Sequence, residues 1–111
     1  MPHSREKLIA DVVMACEDIE DFCRGETYEK FSSDRLLQAG VERKLEIIGE
    51  ALNRLRQANS EWLEENIPDC RRIIGLRNVI AHGYDVVDYD ILWDVVRNHV
   101  TPLKKTLRES C

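Results

Sequence analysis

DRLLQAGVERKLEIIGEALNRLRQA, residues 34–58, reads as a single helix of about seven turns. Leu37, Val41, Leu45, Ile48, Leu52 and Leu55 recur at steps of four and three, almost a strict heptad seam. Such a narrow stripe needs neighbouring helices to cover it, so this segment is the expected spine of a bundle. Ser32, Ser33 or Asp34 supplies the cap that starts it, and it should end near Ala58.

Upstream, a first helix is expected from about Arg5, capped by Ser4, to Arg24, with Gly25 closing it in a left-handed conformation. Its stripe is Ile9, Val12, Val13, Cys16, Ile19 and Cys23. Thr27 caps a short turn through Phe31. Downstream, Ser60 is expected to cap a brief segment carrying Trp62 and Leu63, and Pro68 suits the first turn of a helix with Ile73, Ile74, Arg77 and Ile80, ended by Gly83. Asp88 caps a last helix whose stripe is Ile91, Leu92, Val95, Val96, His99, Leu103 and Leu107; Pro102 should bend it by crowding the carbonyl of Asn98. No strand pattern occurs, and the short connections favour antiparallel neighbours. The expected fold is therefore all-α: one domain over residues 1–111, an up-and-down antiparallel bundle of four main helices with one or two short extra ones.

Composition agrees. The 111 residues include only 3 Pro and 5 Gly, and 33% are charged, as solvated helix faces require. At this size a second subunit is often recruited to cover apolar surface. No segment approaches a membrane span, and the N-terminus lacks the apolar core of a signal peptide, so the cytoplasm is the expected location. Cys16 and Cys23 lie about 10 Å apart along one helix, beyond disulfide reach, while Cys70 and Cys111 are isolated. Small buried thiols in a reducing compartment fit this pattern, and the absence of a clustered Cys/His set argues against structural zinc. The net charge of -5 argues against a protein that coats nucleic acid. The excess is concentrated at residues 1–34, with 4 Lys/Arg against 9 Asp/Glu; residues 35–82 carry 8 against 7, which leaves room for a local basic cleft.

Arg77-Asn78-Val79-Ile80-Ala81-His82-Gly83-Tyr84 gathers an arginine, a histidine and a tyrosine in one short segment. Ile73, Ile74, Ile80 and Ala81 flank Arg77 at helical spacing, placing a permanent cation in a stripe that should face a core. Such a charge needs a carboxylate, a phosphate or a subunit boundary. A structural ion pair with Glu46 or Glu50 is the bland alternative, and Glu50 could equally hold the guanidinium ready for chemistry. Five helical steps turn through about 500°, leaving positions 77 and 82 about 140° apart around an ideal helix. Either the helix unwinds near Gly83 to bring His82 around, or the site combines two copies of the chain about a twofold axis. Arg71 and Arg72 either guide a polyanion or are solvated surface charges. His99 is expected to be a satisfied core or interface histidine, and Trp62, Trp93, Tyr89 and Phe31 to be packing anchors.

The Arg77-Asn78 and His82-Gly83-Tyr84 spelling resembles the signature of the HEPN superfamily, and of its HepT toxin branch in particular. Glu46-Ile47-Ile48-Gly49-Glu50-Ala51, Ile67-Pro68, Ile73-Ile74-Gly75-Leu76, Asp88 and Trp93 extend the likeness over most of the chain; Asp69 departs from it, where relatives often have tryptophan. The resemblance implies a helical homodimer acting as a metal-independent, cofactor-free endoribonuclease in a toxin and antitoxin pair. Arg77 and His82 would be catalytic, Asn78 and Glu50 supporting, and Arg71 and Arg72 RNA-binding. It also implies a minimal nucleotidyltransferase antitoxin that attaches AMP to Tyr84. The alternative is a non-catalytic helical module that docks that partner and is modified by it.

Overall fold

A computed structural model describes residues 4–82 and 88–109, with backbone alone at positions 81 and 82. Every element among the described residues is helical: α1 (Arg5–Cys23), α2 (Tyr28–Ser33), α3 (Arg35–Ala58), α4 (Ser60–Asn66), α5 (Cys70–His82), α6 (Tyr89–Asn98) and α7 (Val100–Glu109). Short polar side chains start most of them by accepting from otherwise unpaired amides of the first turn. Ser4 accepts from Lys7 N at 3.1 Å, Thr27 from Lys30 N at 3.2 Å, Asp34 from Leu37 N at 3.0 Å and Asp88 from Asp90 N at 2.9 Å. Gly25, at φ 75°, ends α1 in the left-handed region as expected.

Three expectations about how the helices start and join are corrected. Asn59 caps α4 in place of Ser60, its Oδ1 accepting from Trp62 N at 3.0 Å. Pro68 lies in a turn ahead of α5, not within its first turn; Cys70 N donates to Ile67 O at 3.0 Å to close that turn. The last helix is split in two at His99 (φ -121°, ψ -28°), where a bend near Pro102 was expected. The proline ring cannot tolerate a helical carbonyl four residues back, so the chain ends α6 at Asn98 and begins again, leaving Pro102 in the first turn of α7, where its missing N–H costs nothing.

The α3 seam is the centre of the core. Val41, Leu45, Ile48, Leu52 and Leu55 are buried, and Leu37 packs against the cluster. They meet Leu8, Ile9, Val12, Cys16 and Ile19 of α1. Near Leu8 the facing residue is Leu55, while Asp18 pairs with Lys44 at 2.8 Å; rising numbers on α1 meet falling ones on α3, so the two are antiparallel. The same holds for α1 and α7, where Glu20 accepts from Thr101 at 2.5 Å and Lys104 at 2.6 Å, and Glu17 pairs with Arg108. Burial alone would raise the Glu20 carboxyl, but hydrogen bonds from Lys104 and Thr101, with the charges of Lys104 and Arg108, outweigh it and hold it below its ordinary value. Phe31, fully buried, stacks on Trp93 (centroids 5.1 Å, 30°) and meets Tyr89 edge-on at 6.0 Å, fixing α6 over α2. These rings pack the core as expected, and Trp62 lies beneath Arg5, whose guanidinium carbon is 4.0 Å from the ring centroid. Ile91, placed on the apolar stripe by periodicity, is 43% exposed, because the α6 face turned inward carries Leu92 and Val95. Cys16, Cys23 and Cys70 are free and buried, and burial, together with the Glu20 charge, pushes the Cys16 thiol up to about 12.

Candidate active site

α5 packs chiefly against α3. Ile73 and Ile74 are buried in that contact, and Arg77, one turn further along the same face, follows them toward α3. Its stem runs across the bare backbone of Gly49. A Cβ at position 49 would stand 2.2 Å from Arg77 Cβ and 2.7 Å from its Cγ, so only a glycine admits the stem there.

Beyond Gly49 the guanidinium is held from two sides. Nη2 donates to Glu50 Oε2 at 2.8 Å, and Nη1 to Asn78 Oδ1 at 3.0 Å. The Nε atom is buried and has no hydrogen-bond partner, so the planar group is fixed through its two outer nitrogens. Of the two carboxylates offered by the sequence, Glu50 is therefore the partner, while Glu46 pairs with Arg43 at 3.2 Å. The other Glu50 oxygen accepts from Arg54 Nε at 3.0 Å. One carboxylate thus braces two guanidinium groups.

Arg77 remains reachable, with 27% of its side chain exposed. With Asp11, Arg43, Glu46, Glu50 and Arg54 it lines a groove of about 290 Å³ between α1, α3 and α5. Three arginines and three carboxylates share its wall with the apolar Leu8, Ile47 and Ala51, so a polyanion entering it would have to exchange partners with the carboxylates.

The remaining candidates divide. α5 continues helically through His82, so positions 77 and 82 do stand about 140° apart around its axis, as five steps of an ideal helix require. The His82 side chain, Gly83 and Tyr84 lie outside the described residues. Arg71 and Arg72 are engaged on the surface, with Glu64 (2.7 Å from Arg71 Nε) and Asp94 (3.0 Å) respectively, away from the groove. His99 sits at the α6–α7 break with its Nδ1 2.8 Å from Asp69 Oδ2 and its Nε2 3.5 Å from Asp94 Oδ2. It is satisfied, as expected, although by carboxylates rather than by the core. Asn98 donates to Asp94 at 2.7 Å, which with Arg72 and His99 nearby keeps that carboxyl below its usual range.

Two residues of this constellation had no role assigned from sequence. Arg54 is four residues from Glu50 on α3, a spacing at which a pair can be anticipated. For Gly49 the available signal was a glycine inside a long helix, a costly choice unless another backbone or stem comes close, and one that Gly40 on the same helix shares.

The structure is thus an all-helical bundle that presents a braced arginine on a docked helix, with a histidine position at the end of that helix. Residues 13–110 match the family described as "Ribonuclease HepT-like", and the chain belongs to that family. It is 35% identical over 104 residues to the "Probable ribonuclease HepT" of Thermococcus cleftensis, covering 94% of this chain and 93% of that one. It is 34% identical over 97 residues to the "Putative RNase MJ1380" of Methanocaldococcus jannaschii, covering 86% and 85%. No solved structure matches the chain. Among the described residues no helix is long and apolar enough to cross a membrane.

Proposed function

We propose that this protein is an endoribonuclease, the toxin of a toxin–antitoxin pair, and that its site is assembled from Arg77 and His82 of two protomers. Membership of the HepT-like family supports the reaction class. The observation that carries the site is the braced, solvent-reachable Arg77 guanidinium, held by Glu50 and Asn78 at the edge of an open groove. A histidine position about 140° away on the same helix cannot readily serve the same phosphate within one protomer, which favours two copies facing each other.

In this reading Arg77 forks onto the non-bridging oxygens of the scissile phosphate and stabilises the charge that builds on the phosphorane. His82 of one protomer takes the proton from the ribose 2′-hydroxyl as that oxygen bonds to phosphorus. The P–O5′ bond breaks, and the second His82 returns a proton to the leaving oxygen, giving a 2′,3′-cyclic phosphate and a 5′-hydroxyl. An imidazole with an ordinary pKa near 6.5 suits both roles near neutral pH, so no metal is called for. Asn78 and Glu50 keep the guanidinium in place. The Tyr84 hydroxyl would attack the α-phosphorus of ATP held by a nucleotidyltransferase antitoxin, losing its proton and expelling pyrophosphate, and the added bulk and negative charge of the AMP group would close the cleft to RNA.

The test is RNA cleavage in the presence of chelator by wild type, Arg77→Ala and His82→Ala, followed by exchange of wild-type protomers with an excess of His82→Ala. Because the shared site needs an imidazole from each protomer, loss of the wild-type activity on exchange supports it, and activity that persists in proportion to the wild-type protein added counts against it. Equal cleavage by all three proteins removes the catalytic assignment, and absence of cleavage by wild type leaves a helical binding module.

A further inference from the structure

We propose that Gly49 is a positioning residue for Arg77: its missing side chain sets where the guanidinium emerges into the groove. The inference rests on Arg77 being the phosphate-binding arginine.

Three observations converge on this position. The Arg77 stem occupies the space a side chain at 49 would need, at 2.2 Å from Cβ and 2.7 Å from Cγ of Arg77. Separations below 3 Å cannot be absorbed by rotating a terminal group when both atoms belong to the first two carbons of a stem; the helix carrying them must move. The neighbouring residue on α3, Glu50, receives Arg77 Nη2 at 2.8 Å. The rod that rests on Gly49 is therefore the one whose tip is caught one residue later, so lifting the stem withdraws the guanidinium from its carboxylate. Finally, Nε is buried without a partner, and the two outer nitrogens alone hold the group. Such a clamp has little tolerance for displacement of α5 from α3: a shift of about 1 Å takes the Glu50 hydrogen bond out of range, while Asn78, on α5 itself, moves with the arginine and cannot hold it to α3.

Gly75 provides the internal contrast. It lies on α5, the same helix as Arg77, and a Cβ there meets nothing within 4 Å. If glycine at 49 served only backbone freedom, the two positions would respond alike to alanine. The packing geometry says otherwise.

The experiment compares Gly49→Ala and Gly75→Ala in RNA cleavage and in thermal unfolding. Gly49→Ala is expected to lower kcat by about 100-fold, the scale of losing one preorganised charge-stabilising donor, with a much smaller change in KM. Gly75→Ala is expected to cleave like wild type. In parallel, the unfolding midpoints of Glu50→Gln, Arg77→Gln and their double variant are measured with and without Gly49→Ala. Non-additive shifts with glycine present, and additive shifts once Gly49→Ala is introduced, support the assignment even if wild type proves to cleave no RNA. That outcome would count against the proposed function and leave this inference standing. Non-additivity that survives Gly49→Ala, or wild-type cleavage by that variant, overturns it. Should Gly49→Ala fail to fold, Gly49→Ala combined with Arg77→Gly decides. Recovery of folding supports a contact specific to the arginine stem. Continued failure assigns Gly49 to α3–α5 packing in general, the Ile73 carbonyl standing 3.3 Å from the same point, and overturns the proposal.

Discussion

Replacing Glu50 by glutamine separates holding Arg77 from folding the protein. The substitution keeps the shape of the side chain and removes its charge, so it should weaken the 2.8 Å contact to Arg77 and the 3.0 Å contact to Arg54 together. At such distances the attraction between unit charges in a surface-like medium amounts to several kcal/mol. Water screens much of it, because 39% of the Glu50 side chain and 27% of that of Arg77 are exposed, and solvated pairs retain only about 0.2–1 kcal/mol. A partly buried charged hydrogen bond lies above that range, so a stability loss of about 1 kcal/mol is expected, or about 5 °C in Tm. A domain of this size has several kcal/mol in reserve, so essentially all of the variant stays folded. Cleavage should fall much further, by about 10- to 100-fold in kcat/KM, because an unbraced guanidinium no longer meets the phosphate in one geometry. The two numbers come from differential scanning calorimetry and initial-rate cleavage of a labelled RNA. A variant that melts lower yet cleaves as fast as wild type, or faster, would refute the reasoning, since the carboxylate would then be a fold contact or a competitor for the arginine.

Other outcomes follow from contacts further away. Phe31→Ala empties a fully buried site stacked on Trp93 and should cost about 3–5 kcal/mol, a loss visible as a large drop in the urea midpoint. Glu20→Gln should destabilise by about 1–2 kcal/mol at neutral pH. Because the native Glu20 carboxyl titrates below its ordinary value, its contribution is present above that value and disappears as pH falls through the native one; wild type and Glu20→Gln should therefore converge in stability in acid, as read by unfolding at a series of pH values. Cys16, buried and with its thiol pushed up to about 12, should resist a thiol-specific reagent under native conditions at neutral pH and react fully only in denaturant.

The features legible in the sequence were those fixed by neighbours in the chain. The α3 seam, the caps at Ser4, Thr27, Asp34 and Asp88, and the left-handed Gly25 all depend on residues within a few positions of one another. The split at His99 was half legible: Pro102 announced a disturbance, but only packing decides whether a helix bends or stops and restarts, and here α7 is tied to α1 through Glu17 and Glu20. At the site, a carboxylate for Arg77 was anticipated, and the choice of Glu50 over Glu46 required knowing how α5 lies across α3. The role of Gly49 is a wholly tertiary fact. Its contact partner belongs to another helix, and no local pattern distinguishes it from Gly40 on the same helix or Gly75 on α5.

A motif helix carried mainly by one neighbour behaves as a lever. Where it is pressed closest to α3, at the crossing of Arg77 over Gly49, a small tilt moves it least; about 7 Å further along its axis, at position 82, the same tilt is magnified. The arginine is thereby the stationary jaw of a vice and the histidine position the travelling one. Any body that leans on the outer end of α5 acquires mechanical advantage over the gap between the two, and passes part of the motion to Cys70, Ile73 and Ile74 on the buried arm of the same helix.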